Sequence, residues 1–406
     1  ITAYDFEYTW KKILQPSFKS PFSSLLYSIK NAKAVKEGFT PLDKLGVYTL
    51  DEKTLLVELE SPTPHFLELT ANALYSPVNH RIDQMYPDWA SRFGEGYVCN
   101  GPFILRRRTS KQYELEKNPY YWDIKAIQLD EIMIYKTDPY DALAMFTTGK
   151  IDWLGRPLRP WEPFFSKSLP NYSHRSAATV HWCVFNVECF PLNHIKIRQA
   201  LASAICRQEI IQSLSTDLIP AKTPLPQEHS QWVGTDNYEE HQVRAQNLFQ
   251  EALRELGIDR ERFPILTFIC LKGNIRETTA LILKKQWEET LGIYCRVEAY
   301  DWNTLFDKMS KGDYQIGGMT WQSLINDPFY TLNSFKYRAD QINFSKWESL
   351  QYQALLDTAE RERHIERRNQ YFSQAEALLI KEMPLVPIYY EPEKFIKRDD
   401  LEISLS

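Results

Sequence analysis

The spacing of apolar residues along the chain predicts an alternation of helices and strands. In residues 6–14 apolar side chains recur at helical spacing, and Thr2 with Asp5 three positions later has the pattern of a capping box, so a helix is expected to begin at Thr2. The same spacing predicts a helix before Gly312 and further helices at 141–146, 195–214, about 239–257, 276–291 and 350–380.

Runs rich in β-branched and aromatic residues predict the strands. Residues 47–50 and 54–59 have the pattern of a hairpin, and further strands are expected at 103–105, 113–115, 181–186, 265–270, 293–297, 314–319 and 384–390. Strand, helix and strand between 265 and 297 favour a parallel α/β unit. Gly257 and Gly292 stand where helices commonly end on glycine.

Length and charge narrow the class of protein. A chain of 406 residues is too long for one ordinary hydrophobic core, so more than one domain is expected. The net charge of −5 provides no large basic surface for nucleic acid, which we therefore exclude as a partner. No apolar run reaches the roughly 20 residues that a membrane-spanning helix needs.

Common catalytic and metal-binding motifs are absent from the sequence. It contains no phosphate-binding glycine loop, no zinc-protease helix motif and no serine nucleophile elbow. We therefore predict no catalytic residue, no metal site and no cofactor, and expect that the protein is not an enzyme. His181 stands alone on a predicted strand, and we expect it to be a hydrogen-bonded core residue. The six cysteines leave two possibilities open, buried thiols or one or more disulfides.

Several short motifs, in this order and spacing, resemble one family along most of the chain. They are Ile-Thr-Ala-Tyr-Asp at 1–5, Asn-Gly-Pro-Phe at 100–103, Asn-Pro-Tyr-Tyr-Trp at 118–122, Ile-Lys-Ile-Arg-Gln-Ala-Leu at 195–201 and Pro-Leu-Val-Pro-Ile-Tyr-Tyr at 384–390. The chain thus resembles the peptide and nickel extracellular solute-binding proteins of ABC importers, and within them the oligopeptide-binding branch.

The resemblance implies an α/β fold of the two-lobed periplasmic-binding-protein type, class II, with a small additional domain. Residues 1–70 would be the remnant of that small domain, 71–170 with 391–406 would form lobe I, and 171–390 would form lobe II. The family's opening segment would precede Ile1, and its closing segment would be cut short after Ser406, so we expect an N-terminally truncated version.

The resemblance also implies where a peptide amino group would be met. Relatives place an Asp three residues after a Trp that corresponds to Trp321, but this chain has Leu324 there. A buried ammonium without a carboxylate would be costly. Either Asp327 swings in, or the ligand presents its charges differently. Gln322, beside the Trp, could donate and accept hydrogen bonds.

Basic residues are expected at the other end of the ligand. By the resemblance, Arg276 and Lys272 are candidates to receive a carboxylate, and Asn186 is a further candidate ligand-binding residue. Arg276 could equally be an exposed residue at a helix start. Two arginines of the oligopeptide branch are replaced near Met309 and Gly318, which suggests a narrower set of ligands.

The function implied is the substrate-binding component of an ABC-type oligopeptide importer. It would capture short peptides and deliver them to permease subunits in the inner membrane. A variant specialised for glutathione, or another small peptide-like ligand, is compatible with Leu324; a non-transport interaction or signalling protein is a separate alternative. We expect a periplasmic or extracytoplasmic monomer that could carry a lipid anchor.

Overall fold

The computed structural model describes residues 1–20, 22–93, 97–155, 172–175, 179–214, 217–227, 229–230, 242–323, 325 and 327–401. The chain divides into two compact units. Unit 1 contains Ile1–Ser61, Phe66–Leu154 and Lys397–Ser406, and unit 2 contains Pro62–His65 and Gly155–Ile396. The finer division into three parts that the sequence suggested stays a prediction.

Unit 1 combines short helices with two small antiparallel sheets. Its helices are α1 (Ala3–Leu14), α2 (Ala32–Lys36), α3 (Phe66–Thr70), α4 (His80–Met85) and α5 (Pro139–Thr147). Its strands are β1 (Val47–Asp51), β2 (Thr54–Val57), β3 (Phe103–Arg108), β4 (Gln112–Lys117), β5 (Glu131–Tyr135) and the start of β6 (Trp153–Gly155). Strands β1 and β2 form the predicted hairpin, and β3, β4 and β5 pair in sequence order.

Helix α1 begins at its predicted cap. The Asp5 carboxylate accepts a hydrogen bond from the backbone N–H of Thr2 at 2.7 Å. Along the inner face, the buried Trp10 donates its indole N–H to the carbonyl of Tyr75 at 2.9 Å. Both predictions for this segment, a helix and its starting residue, are therefore confirmed.

Unit 2 is larger and alternates strands with helices. Its strands are β7 (Tyr172–Arg175), β8 (Thr179–Phe185), β9 (Ile219–Pro220), β10 (Leu266–Leu271), β11 (Cys295–Tyr300), β12 (Ile316–Gln322), β13 (Leu385–Tyr390) and β14 (Glu393–Lys397), the last of which ends in unit 1. Its helices are α6 (Ile195–Ser203), α7 (Arg207–Leu214), α8 (Gln242–Leu256), α9 (Asn274–Leu291), α10 (Trp302–Lys311), α11 (Pro328–Asn333), α12 (Leu350–Arg361) and α13 (Ile365–Glu382).

A six-stranded mixed sheet in the order β11-β10-β12-β8-β13-β9 is the centre of unit 2. Strand β10 runs parallel to both β11 and β12, which confirms the predicted parallel unit. Strand β8 is antiparallel to β12 and β13. Gly292 and Gly312 end α9 and α10 with positive φ angles, as glycine permits.

Helices cover the sheet because its strands carry apolar side chains on both faces. A large buried core includes Phe185 from β8, Phe268 and Cys270 from β10, and Trp287 from α9. Such strands, buried on both faces, are typical of sheets in α/β proteins. No helix within the described residues is long and apolar enough to cross a membrane. All six cysteines are free thiols, which resolves the question that the sequence left open.

Two predicted long helices are each broken in the structure, so those predictions were wrong. Residues 195–214 form α6 and α7, with a break around Cys206. The side-chain amide of Gln286 accepts a hydrogen bond from the Cys206 N–H and donates one to its carbonyl, both at 3.1 Å. Residues 350–380 form α12 and α13. There the Glu362 carboxylate accepts the N–H of His364 at 2.9 Å, in an extended turn.

The Arg-Gln-Ala-Leu motif has a structural role. Arg198, on α6, is buried and donates to three carbonyls, those of Leu192, Glu382 and Met383, at distances of 2.6 to 3.2 Å. The last two lie where α13 ends and the chain enters β13. Burial lowers the pKa of Arg198 to about 10, so the guanidinium remains charged at neutral pH. The side chain thus satisfies the carbonyls that a helix end leaves without partners.

Replacing Arg198 with Ala should destabilise unit 2 by roughly 3 kcal/mol, because three carbonyls lose a buried, charged donor. The midpoint of urea unfolding, followed by tryptophan fluorescence, measures this loss. Arg254→Ala removes an exposed arginine from α8 and should change stability by less than about 0.5 kcal/mol. Equal effects of the two substitutions would contradict the role assigned to Arg198.

Candidate functional site

The carboxyl ends of three parallel strands lie along one edge of the sheet in unit 2. Strand β10 ends at Leu271, β11 at Tyr300 and β12 at Gln322. The residues that follow, including Lys272 and Asp301, therefore lie at the same edge. In open α/β sheets ligands bind outside the carboxyl ends of the strands. We call this part of unit 2 the carboxyl edge, and it is the candidate functional site.

Trp321 lies at the carboxyl edge but is almost fully buried. Its ring stacks on that of Trp182 with a centroid distance of 5.3 Å and an interplanar angle of 14°. Its indole N–H donates to the hydroxyl of Thr331, on α11, at 3.0 Å. Gln322, the next residue, is exposed. Of these two predicted residues, Gln322 therefore offers hydrogen-bonding groups to solvent. Trp321 is instead part of the packed interior beside the edge.

Asp327 is buried in an ion pair that the sequence analysis did not foresee. Its two carboxylate oxygens accept hydrogen bonds from Arg368, on α13, at 2.6 and 3.0 Å. One of them also accepts the N–H of Phe329 at 2.8 Å and so caps α11. A carboxylate with this set of donors cannot leave without stranding a buried arginine. The expectation that Asp327 swings in to meet an ammonium is therefore at odds with the structure.

Arg276 is neither exposed nor free. It pairs with Glu391, just after β13, and donates to the hydroxyl of Tyr389 at 2.8 Å. Burial opposes its charge, but Tyr389 and Glu391 outweigh burial and raise the pKa of Arg276. Since Glu391 already neutralises this guanidinium, Arg276 can receive a ligand carboxylate only by sharing or giving up that partner.

His181 belongs to the same buried group, as the sequence analysis expected. Its ring stacks on Tyr389 at 4.9 Å, and its Nδ1 lies 3.0 Å from the hydroxyl of Thr320. Burial, followed by the positive charge of Arg276, holds the pKa of His181 well below its usual value. It is thus a neutral, hydrogen-bonded core residue.

Lys272 is an exposed cation at the carboxyl edge. It follows β10 directly, and its backbone N–H donates to the carbonyl of Tyr300 at 2.7 Å, which ties the ends of β10 and β11 together. Among the described residues, no carboxylate lies within ion-pair distance of its ammonium group. An exposed, uncompensated lysine on a rigid strand end is well placed to attract a carboxylate.

Asn186 is separated from the other candidates. It follows Phe185, which pairs with Ile316 at the opposite end of β12 from Gln322. Six residues of strand separate the two positions, or about 20 Å. Its side-chain amide donates to the carbonyls of Gly312 and Tyr314, both at 3.0 Å, so it holds a loop in place. Asn186 therefore lies away from the carboxyl edge, and its part in ligand binding stays a prediction.

The remaining sequence candidates add no charge to the edge. Leu324 lies outside the described residues. Met309 and Gly318, which stand near the replaced arginines of the oligopeptide branch, are core positions here. Met309 is fully buried, and its terminal methyl group lies where a side chain on Gly317 would be.

Two residues of interest escaped the sequence analysis. Trp302 begins α10 one residue after β11, and this residue is 51% exposed at the carboxyl edge. The position of Trp302 close behind a predicted strand is the sequence feature that could have indicated a site residue. His65 is buried beside Arg368, with its Nδ1 3.0 Å from the guanidinium, and no local pattern in the sequence indicated this.

The stability of the protein should fall in mild acid because of His65. Its folded-state pKa is lowered from 6.5 to about 4, chiefly by burial, so the unfolded chain binds a proton there that the folded chain does not. The contribution of His65 to the free energy of unfolding is fully present above about pH 6.5. It is lost as the pH falls towards 4, by about 3 kcal/mol at most.

Urea unfolding at several pH values measures how the free energy of unfolding changes with pH. His181 acts in the same direction, so the difference between wild type and His65→Gln isolates His65. The His65→Gln protein should lose less stability between pH 6.5 and pH 4 than wild type. His364→Gln, at an exposed position, is the matched control. Identical slopes for wild type and His65→Gln would contradict the prediction.

Comparison with known proteins identifies the family. The sequence pattern of the bacterial extracellular solute-binding proteins, family 5 (Middle), matches residues 1–343. The chain is 31% identical over 415 aligned residues to the oligopeptide-binding protein OppA of Bacillus subtilis, covering 99% of this chain and 76% of that protein. It is 29% identical to the probable deoxycholate-binding periplasmic protein YgiS of Escherichia coli, covering 97% and 74%.

A solved structure supports the same assignment. The crystal structure of a periplasmic oligopeptide-binding protein, OppAIV, from Borrelia burgdorferi is similar, with a TM-score of 0.85 and 27% identity. The match covers 98% of this chain and 80% of that one. The predicted fold class, the α/β fold of the periplasmic binding proteins, is therefore confirmed. The resemblance in the sequence motifs was also correct, and the chain belongs to the bacterial extracellular solute-binding proteins, family 5.

Proposed function

We propose that this protein is the peptide-capturing component of an ABC-type importer. It binds a short peptide, releases it unchanged to permease subunits in the membrane, and catalyses no reaction. It works outside the cytoplasmic membrane, as a monomer.

The observation that carries this proposal is the set of groups at the carboxyl edge. Lys272 offers a cation for a terminal carboxylate, and Gln322 offers an amide that can pair with a peptide backbone. Trp302 offers a broad, rigid ring for apolar side chains. Together these groups match the carboxylate, the amides and the side chains of a peptide.

The interior of the site supports capture rather than chemistry. Arg276 and Asp327, the charged candidates nearest to the strands, each have a partner of opposite charge. Neither is poised to exchange protons or to attack a substrate. Such paired charges hold the edge rigid, and rigid, preorganised sites lose less entropy when a ligand binds.

The descriptions of the named relatives support a peptide ligand in part. Two are described as oligopeptide-binding proteins, which favours a peptide as the ligand, and one is described as probably deoxycholate-binding. A peptide and a bile acid share a carboxylate and extended apolar surface. Lys272 and Trp302 could serve either, so the ligand has to be measured.

Isothermal titration calorimetry on the full-length mature protein tests the proposal. We expect one molecule of trialanine to bind per chain with micromolar affinity, near −8 kcal/mol. Glutathione and deoxycholate are the comparison ligands, and recovery of unchanged trialanine tests for turnover. Tighter binding of glutathione would favour the specialised alternative. Binding of deoxycholate alone, or of none of the three, would overturn peptide capture.

Lys272→Met should weaken trialanine binding by about five- to tenfold, because an exposed charge contact contributes on the order of 1 kcal/mol. The same substitution should leave the affinity for trialanine amide, which lacks the carboxylate, nearly unchanged. Lys285→Met removes a charge of similar exposure from the outer side of α9 and serves as the control. An equal loss for the acid and the amide would contradict the assigned role of Lys272.

A further inference from the structure

A buried cluster of His65, Asp327 and Arg368 contains a hydrogen-bond donor that the rest of the fold does not use. The three residues are exposed by only 3%, 6% and 4%. The charges of Asp327 and Arg368 cancel within their two-pronged ion pair. His65 packs its ring against Phe329 at a centroid distance of 4.6 Å.

Arg368 fixes the tautomer of His65. A guanidinium has only hydrogens to give, so the His65 Nδ1 that lies 3.0 Å from it must present its lone pair. A neutral imidazole then carries its proton on Nε2. Burial, opposed by Asp327 and reinforced by Arg368, lowers the pKa of His65 to about 4, so the ring is neutral near pH 7.

The resulting Nε2–H group of His65 has no acceptor. Its atom is buried, and no hydrogen-bond partner for it occurs among the described residues. Buried polar groups nearly always have a partner in native proteins, and each exception requires an explanation. The Nε–H of Arg368, in the same cluster, is also buried without a partner among the described residues. The other ring nitrogen of His65 already serves the fold, so its unused Nε2–H is a feature that a bound molecule could satisfy.

We propose that His65 is a recognition residue whose Nε2–H donates to a carbonyl or carboxylate oxygen of the bound solute. This inference rests on the proposed capture function. The part of the solute held by the cluster is therefore a hydrogen-bond acceptor, uncharged or anionic. An ammonium group is excluded there, because it has only donors and would meet a second donor while Asp327 is occupied by Arg368.

Two substitutions separate recognition from structure. In His65→Asn the amide oxygen stands near the position of Nδ1 and keeps the contact with Arg368, but no donor reaches the position of Nε2. In His65→Gln the longer side chain restores a donor there. Calorimetry on the full-length protein with N-acetyltrialanine, trialanine and deoxycholate, together with urea unfolding, gives affinity and stability for each variant.

We expect N-acetyltrialanine to bind at least as tightly as trialanine. His65→Asn should weaken its binding about tenfold at nearly wild-type stability, and His65→Gln should recover most of the loss. Unchanged affinity in a folded His65→Asn protein would overturn the proposal and leave a structural role. So would at least a tenfold preference for free trialanine over the acetylated form.

Long-range proton–nitrogen NMR of the imidazole reports the tautomer of His65 in the free protein, whether or not peptides bind. The free protein should show the proton on Nε2, and a bound probe should shift that nitrogen. A proton on Nδ1 would overturn the inference by itself, as would an Nε2 signal that no saturating probe moves, which indicates a buried water only. Failure of all three probes to bind would overturn both proposals. Binding of deoxycholate alone, with a shift at Nε2, would overturn only peptide capture.

Discussion

The parallel pairing of β10 with β11 and β12 is the constraint on which the candidate site depends. Because the three strands run in one direction, their ends lie on one edge, and Lys272, Trp302 and Gln322 reach it from distant parts of the sequence. The backbone bond between Lys272 and Tyr300 shows how closely the strand ends are held. A site built on strand ends inherits the rigidity of the sheet, whereas a site on loops would not.

Two buried arginines, Arg198 and Arg368, and the half-buried Arg276 organise the surroundings of that sheet in different ways. Arg198 serves carbonyls where a helix ends, Arg276 joins the start of α9 to the end of β13, and Arg368 joins α13 to the start of α11. Each planar guanidinium holds its N–H donors in a fixed fork, whereas a lysine ammonium is a compact point charge. Each charged side chain thereby holds elements of the fold together.

The sequence predicted the local elements of the fold well, because apolar spacing and glycine stops are local signals. The parallel unit around α9 and the hairpin of β1 and β2 were found in this way. The two long helices were predicted wrongly, since helical spacing continues through both breaks. One break depends on Gln286, 80 residues away from Cys206, and no local pattern could reveal it.

The candidate site was only partly predictable for the same reason. Spacing and family resemblance led to Arg276, Lys272 and Gln322, and the structure brings these three to one edge. They could not reveal that Glu391, 115 residues later, neutralises Arg276, or that Arg368, 41 residues later, holds Asp327. Contacts between residues far apart in sequence decide which charges remain available, and they form only when the chain folds.

The six cysteines have a consequence for how the protein must be made. In the folded chain burial raises the pKa of Cys270 to about 11 and of Cys295 to about 12, and keeps that of Cys183 well above its usual value. Only the thiolate reacts readily with oxidants, so these sulfurs are chemically quiet once the core has closed. A nascent chain lacks that shelter. In an oxidising compartment, disulfide formation before the core closes would therefore compete with folding.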